Sequence, residues 1–244
     1  MEDFKDAVEV NKLAFSRTVK SIKYYPMIVL VLIITNLINY LAGLLFYKLS
    51  LVVQLPYLIG VLRYLVDVAT LSLLMSCLYS VIIGGNLNLK NFTDGWNRYM
   101  SPLMSIKFIF WLIEMAVTTI FGPLLSNFMS TLLLGVVLGV MESPLLEAVY
   151  IGEESGTSGF MSILDFLKNN VLQWIIVSIL FTIVTIVLGM GATSPVLLSL
   201  DLKVIIKYLL GYIVLAFIYI YKGHLYSILY NSSVRKRKFM GVFE

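Results

Sequence analysis

The chain has 244 residues, 59% of them hydrophobic and 13% charged, with a mean hydropathy of +0.92. A soluble domain carries about 25% charged residues, so composition excludes an ordinary water-facing fold and points to the bilayer as solvent. The net charge of +4 gathers at the ends of apolar runs, which suits anionic lipid headgroups and speaks against nucleic acid. Cys77 is the single cysteine, so no intrachain disulfide can form.

Residues 1–23 read as an amphipathic helix. Phe4, Val8, Phe15, Val19 and Ile22 recur at helical steps, and Asn11 interrupts the stripe. Lys5, Glu9, Lys12, Arg17, Lys20 and Lys23 fill another face. Such a helix lies in the membrane interface. Its charges precede any apolar run, so it does not read as a cleavable signal. A first span follows at 25–47, behind Pro26, and Lys48 and Pro56 bracket a short loop. The second span, 57–83, carries Arg63 and Asp67 and stops at Gly84-Gly85.

The stretch 83–100 is a short amphipathic connection. Leu89, Phe92, Trp96 and Met100 share one face, and Lys90, Asn91, Asp94, Asn97 and Arg98 lie opposite. Trp96 suits the headgroup level, where its ring keeps a polar edge in water. Pro102 leads into a third span, 103–121, with Glu114 in its middle, and Gly122-Pro123 is a turn. The fourth run, 125–150, holds Gly135 and Gly139, a G-x-x-x-G spacing suited to close helix packing. It also holds Glu142, Pro144 and Glu147, and the proline predicts a kink. A polar stretch, 152–159, opens a surface helix bearing Phe160, Leu164, Leu167 and Val171. The fifth span is 171–190, the loop 191–199 contains Pro195, and the sixth span, 203–230, is rich in tyrosine. Arg235, Lys236, Arg237 and Lys238 form a basic tail placed at the lipid interface.

The expected fold is an all-α polytopic membrane protein with about six transmembrane helices and three amphipathic interfacial helices. It forms one membrane domain over residues 1–244. Ile83-Gly84 corresponds to Ile151-Gly152, and Phe92 to Phe160, at one constant offset. This spacing divides the chain into repeat units 1–84, 85–152 and 153–230, each an amphipathic helix followed by two spans, with a basic tail at 231–244. Lys and Arg concentrate on the side of the three surface helices and the tail, so the N- and C-termini are expected to be cytoplasmic in a plasma-membrane protein.

Arg63 and Asp67 stand four apart, share a helix face and can pair. Glu114, Glu142 and Glu147 have no basic neighbour in sequence, so each should be protonated, water-exposed or matched by another helix. Ionisable residues at membrane depth are functional candidates. Arg63, Asp67, Glu114 and Glu142 are therefore the expected lining of a polar path, against the alternative of a structural network between helices. With one histidine and one cysteine in different spans, no metal site or cofactor is expected.

Gly156-Thr157-Ser158-Gly159 resembles the G-x-S-G motif of rhomboid intramembrane proteases, and His224 lies on the sixth span, where that family carries its histidine. The resemblance implies a Ser158–His224 pair. Ser158 here precedes a surface helix, which it can equally cap. In outline the chain resembles prokaryotic six-helix membrane families, including the membrane domain attached to some glycerophosphodiester phosphodiesterases. That similarity rests on the glycine break, the Phe92-x3-Trp96 connection, and their echo at Gly152 and Phe160.

The sequence points first to a non-enzymatic transporter, or an accessory of transport or export. The alternatives are a membrane interaction, assembly or immunity-type protein, acting through a protein partner or a second copy, and an intramembrane serine hydrolase.

Overall fold

The computed structural model describes residues 2–52, 56–84, 89–121, 128–188, 202–230, 232 and 237. All regular structure among them is helical. Among the described residues five stretches are long and apolar enough to cross a membrane: Met27–Leu51, Leu58–Gly84, Gly95–Ile120, Gly156–Ile183 and Ile206–Tyr230. The chain is thus built as a multi-pass membrane protein.

The helices are α1 (Glu2–Tyr24), α2 (Met27–Val52), α3 (Pro56–Tyr79), α4 (Leu89–Phe121), α5 (Phe128–Glu142), α6 (Leu145–Tyr150), α7 (Gly156–Leu188) and α8 (Leu202–Tyr230). A π-helical turn, Ser80–Gly84, closes α3. Two compact units emerge from the packing. The first comprises Met1–Arg17, Ser101–Thr182 and Tyr221–Glu244, and the second comprises Thr18–Met100 and Ile183–Ile220.

In the second unit α2 packs on α3. Asn39 Nδ2 donates to Thr70 Oγ1 at 2.9 Å, and Val68, Ala69, Leu74, Met75, Cys77 and Leu78 are buried along α3. The start of α4 lies tight on α3: a Cβ built at Gly95 would fall 2.4 Å from Ser76 Cβ and 2.8 Å from the Ser72 carbonyl oxygen. Only glycine fits there. The Arg98 guanidinium sits over the rings of Tyr79 and Tyr99, at 4.8 and 5.3 Å from their centroids, and so shields its charge on aromatic faces.

The first unit is organised around α4, α6, α7 and α8. Leu103, Ile106, Ala148, Tyr150, Ile163, Trp174, Leu225 and Tyr226 are fully buried. Gly159 lets α7 close on α4, since a Cβ there would come within 2.6 Å of Ile106 Cδ1. The turn before α7 needs a left-handed residue, supplied by Gly156 at φ +59°, whose N–H donates to Ser105 Oγ at 2.9 Å.

Three breaks predicted from sequence have different outcomes. Pro144 does interrupt its run, separating α5 from α6. Asn170 leaves helical geometry (φ −130°, ψ 27°) one residue before the expected start of the fifth span, and its Nδ2 caps the Phe166 carbonyl at 3.0 Å. Pro102, by contrast, lies inside α4, so the expected surface helix and third span run as one continuous helix.

α1 carries three faces. Asp6, Ala7, Val10 and Ala14 are buried, whereas Phe4, Val8, Phe15 and Val19 are 69, 53, 54 and 48% exposed. Lys5, Glu9, Lys12, Arg17, Lys20 and Lys23 are exposed as well. Phe4, Val8, Phe15 and Val19 therefore keep about half or more of their surface uncovered by the protein, while Val10 is buried.

Candidate functional site

The site begins with the proline. Pro144 has no N–H, so the carbonyl four residues earlier loses its helical partner. The Ser143 backbone N–H and hydroxyl donate to that Val140 carbonyl instead, at 3.3 and 2.7 Å. Ser143 Oγ also accepts the Trp174 indole N–H at 2.7 Å and lies 2.9 Å from Ser178 Oγ. The break is thus locked onto α7 by two side chains.

The carbonyl of Ser143 receives a donor from α8: Lys222 Nζ lies 2.6 Å away. The same ammonium stands 4.8 Å from the Phe181 ring centroid, 5.7 Å from that of Trp174, and 3.5 Å from Glu147 Oε1. The side chains of Lys222 and Glu147 are 3% and 0% exposed. A hydrogen bond of this type spans about 2.7–3.2 Å, so Coulomb attraction rather than a formed hydrogen bond joins the pair. Both Glu147 oxygens, and the buried hydroxyl of Tyr226, have no hydrogen-bond partner among the described residues. Phe166, Trp174 and Tyr226 close the wall in edge and tilted contacts, with ring centroids 4.4 to 6.0 Å apart.

A second buried pair in the same unit is built differently. Arg237 Nε and Nη2 donate to the two oxygens of Asp6 at 2.9 and 2.7 Å, and Gln173 Nε2 adds a third bond at 2.9 Å. Arg237 Nη1 reaches the Ser232 carbonyl at 2.5 Å. Nearby, Tyr221 donates to Asn11 Oδ1 at 2.5 Å, tying α1 to α8. Every charged oxygen here is satisfied, which is what a buried pair needs to hold its place. Glu147 lacks that support. Among the described residues it has only the 3.5 Å ion pair with Lys222, which is itself held by the Ser143 carbonyl and two rings.

The residues singled out from sequence are placed elsewhere. Arg63 is exposed and Asp67 half-buried on α3, in the second unit, whereas Glu114 and Glu142 are exposed on α4 and α5 of the first. No buried lining is made from these four. Gly135 and Gly139 meet no atom within 4 Å of their Cβ positions, so their spacing packs no helix among the described residues. Trp96 is 46% exposed. Arg237, expected at the lipid interface, is instead fully buried against Asp6, because a bidentate carboxylate stabilises a guanidinium that the interior would otherwise reject. Arg235, Lys236, Lys238 and Phe92 lie outside the described residues or side chains. Ser158 is exposed and donates to the Ser155 carbonyl at 2.9 Å, while His224 is buried on α8.

Lys222 has no role in the reading of the sequence, where Glu147 is one of three acids expected to be protonated, water-exposed or matched by another helix. The available signal was a lysine inside an apolar span, facing an acid three residues after a helix-breaking proline. Comparison of the chain with protein-family models, with curated proteins and with solved structures finds no match.

Proposed function

We propose that this protein is a six-span plasma-membrane protein serving transport or export, with Glu147 and Lys222 as its working polar centre. In this reading α5 and α6 form a broken fourth span, and residues 6 and 237 lie on the cytoplasmic side. The carrying observation is the contrast between the two buried pairs: Asp6–Arg237 is saturated with hydrogen bonds, whereas Glu147 has its ion pair with Lys222 at 3.5 Å and, among the described residues, no hydrogen-bond partner for either oxygen. A buried carboxylate with a counter-ion but no hydrogen bonds is expensive, and membrane proteins retain such groups where ions or protons are exchanged. Its position supports the reading too, because transporter sites gather at interrupted helices whose freed backbone groups line the site.

The test needs no knowledge of a substrate. Proteoliposomes on a solid-supported membrane are given a pH jump, and charge displacement is recorded. The wild type gives a transient current, Glu147→Gln abolishes it, and Arg63→Gln leaves it unchanged. A silent wild type, or a Glu147→Gln protein that still responds, sinks the proposal.

A second reading, a membrane interaction or assembly protein, draws on one observation. The Gly135–Gly139 face is open, and Val136 and Val137 beside it are 44 and 49% exposed. Replacing both glycines with leucine would then change the proteins that co-purify from native membrane while leaving the pH-jump current intact.

A further inference from the structure

α1 distributes its side chains in an order that water would penalise. Its buried face is small or polar: Asp6, Ala7, Val10 and Ala14. Its large apolar residues, Phe4, Val8, Phe15 and Val19, stand between 48 and 69% exposed, at steps of four and seven that keep them in one strip. Apolar area gains free energy when it leaves water, and a helix packed on a protein for stability in water would turn that strip inward.

The charges are sorted as well. Asp6 is turned inward and neutralised by Arg237. Among residues 4–24 the exposed charges are then Lys5, Arg17, Lys12, Lys20 and Lys23 against Glu9 alone. At 3.6 residues per turn, Lys5, Lys12 and Lys23 run beside the apolar strip, on the flank away from the buried face. The helix thus offers protein contacts on one side, a hydrocarbon-seeking strip on the next, and ammonium groups on the third.

We propose that α1 is a fixed keel seated in an anionic phospholipid leaflet. Phe4, Val8, Phe15 and Val19 enter the acyl region, and the lysines meet lipid phosphates. Helices with this division lie in the interface plane, and each basic residue near an anionic surface adds to the attraction. The clamps Asp6–Arg237, Asp6–Gln173 and Asn11–Tyr221 hold the helix to the protein, so its depth is set by the fold. This inference is independent of the reading of Glu147.

The full-length protein is reconstituted in nanodiscs of phosphatidylcholine, with or without phosphatidylglycerol, carrying a nitroxide at position 8 or position 12. Cys77 is buried and stays unlabelled under native conditions. The label at 8 should be relaxed by oxygen more strongly than by a water-soluble nickel chelate, and the label at 12 should show the reverse. Adding phosphatidylglycerol should enrich that lipid around the protein, as read by native mass spectrometry. Lys5→Gln, Lys12→Gln, Lys20→Gln and Lys23→Gln together should remove the enrichment without moving the label at 8. The proposal is overturned if the label at 8 is as accessible to nickel as the label at 12, which would place the strip in water. It is equally overturned if neither reagent reaches it, which would mean a protein partner or a second copy covers the strip. Retained enrichment in the four-lysine variant would overturn the role of the lysines.

Discussion

Lys222 donates to the Ser143 carbonyl at 2.6 Å and stands 3.5 Å from Glu147. The lysine is thus anchored first to a backbone carbonyl beside a proline break and only second to its counter-ion. Lys222→Met should leave Glu147 buried and uncompensated, at a cost of about 3–5 kcal/mol. The double variant Lys222→Met/Glu147→Leu should recover most of that loss, because an apolar pair of similar volume avoids the desolvation penalty altogether. Denaturant titration in detergent of the wild type, Lys222→Met, Glu147→Leu and the double variant gives the coupling as a double-mutant cycle.

Asp6→Asn should release the other pair. It strips the charge from a carboxylate that accepts three bonds and leaves a guanidinium buried without a counter-ion. A loss of about 3–5 kcal/mol is expected. Gln173→Leu removes a single bond to the same carboxylate, and about 1.5–3 kcal/mol should follow. Limited trypsin digestion provides a second readout, with cleavage within 235–238 accelerated in Asp6→Asn and less so in Gln173→Leu.

Trp174→Phe should keep the ring contacts with Phe166 and Tyr226 and lose the indole donor to Ser143 Oγ. The serine keeps Ser178 as a neighbour, so the expected cost is about 0.5–1.5 kcal/mol. A larger effect in the same unfolding titration would mean that the indole holds the α5–α6 break itself.

Glycines separate cleanly into two kinds. Gly95→Ala places a methyl 2.4 Å from Ser76 Cβ and should cost about 1–3 kcal/mol. Ser76→Gly should relieve part of it, with the Ser72 carbonyl at 2.8 Å accounting for the remainder. Gly135→Ala and Gly139→Ala meet nothing and should fall within about 0.5 kcal/mol of wild type. Unfolding midpoints of the four single variants and of the Gly95→Ala/Ser76→Gly double variant check the whole set.

The helices were legible because periodicity and apolar length are local properties. Pro144 announced the break between α5 and α6, and Asn170 falls next to the expected start of a span. Pro102 misled, since a proline inside a long helix can be carried where tertiary packing outweighs one lost hydrogen bond. The candidate site was not legible for a different reason. Sequence spacing reveals pairs three or four residues apart, such as Arg63 and Asp67, which the fold leaves at or near the surface of α3. The buried charges instead find partners at sequence separations as large as 231 residues, as Arg237 does with Asp6. Glu142 and Glu147 differ locally only in lying before and after Pro144, which does not say that one is exposed and the other buried.

The first unit draws on three separate stretches of chain, and Arg237 closes it against Asp6. Synthesis delivers residues from the N-terminal side first, so Asp6 reaches the membrane long before its guanidinium exists. Through most of translation that carboxylate has to remain hydrated or be held by something else. A ribosome stalled before residue 237 should therefore display Asp6 without its guanidinium, and the strongest clamp on α1 can close only after α8 has been synthesised.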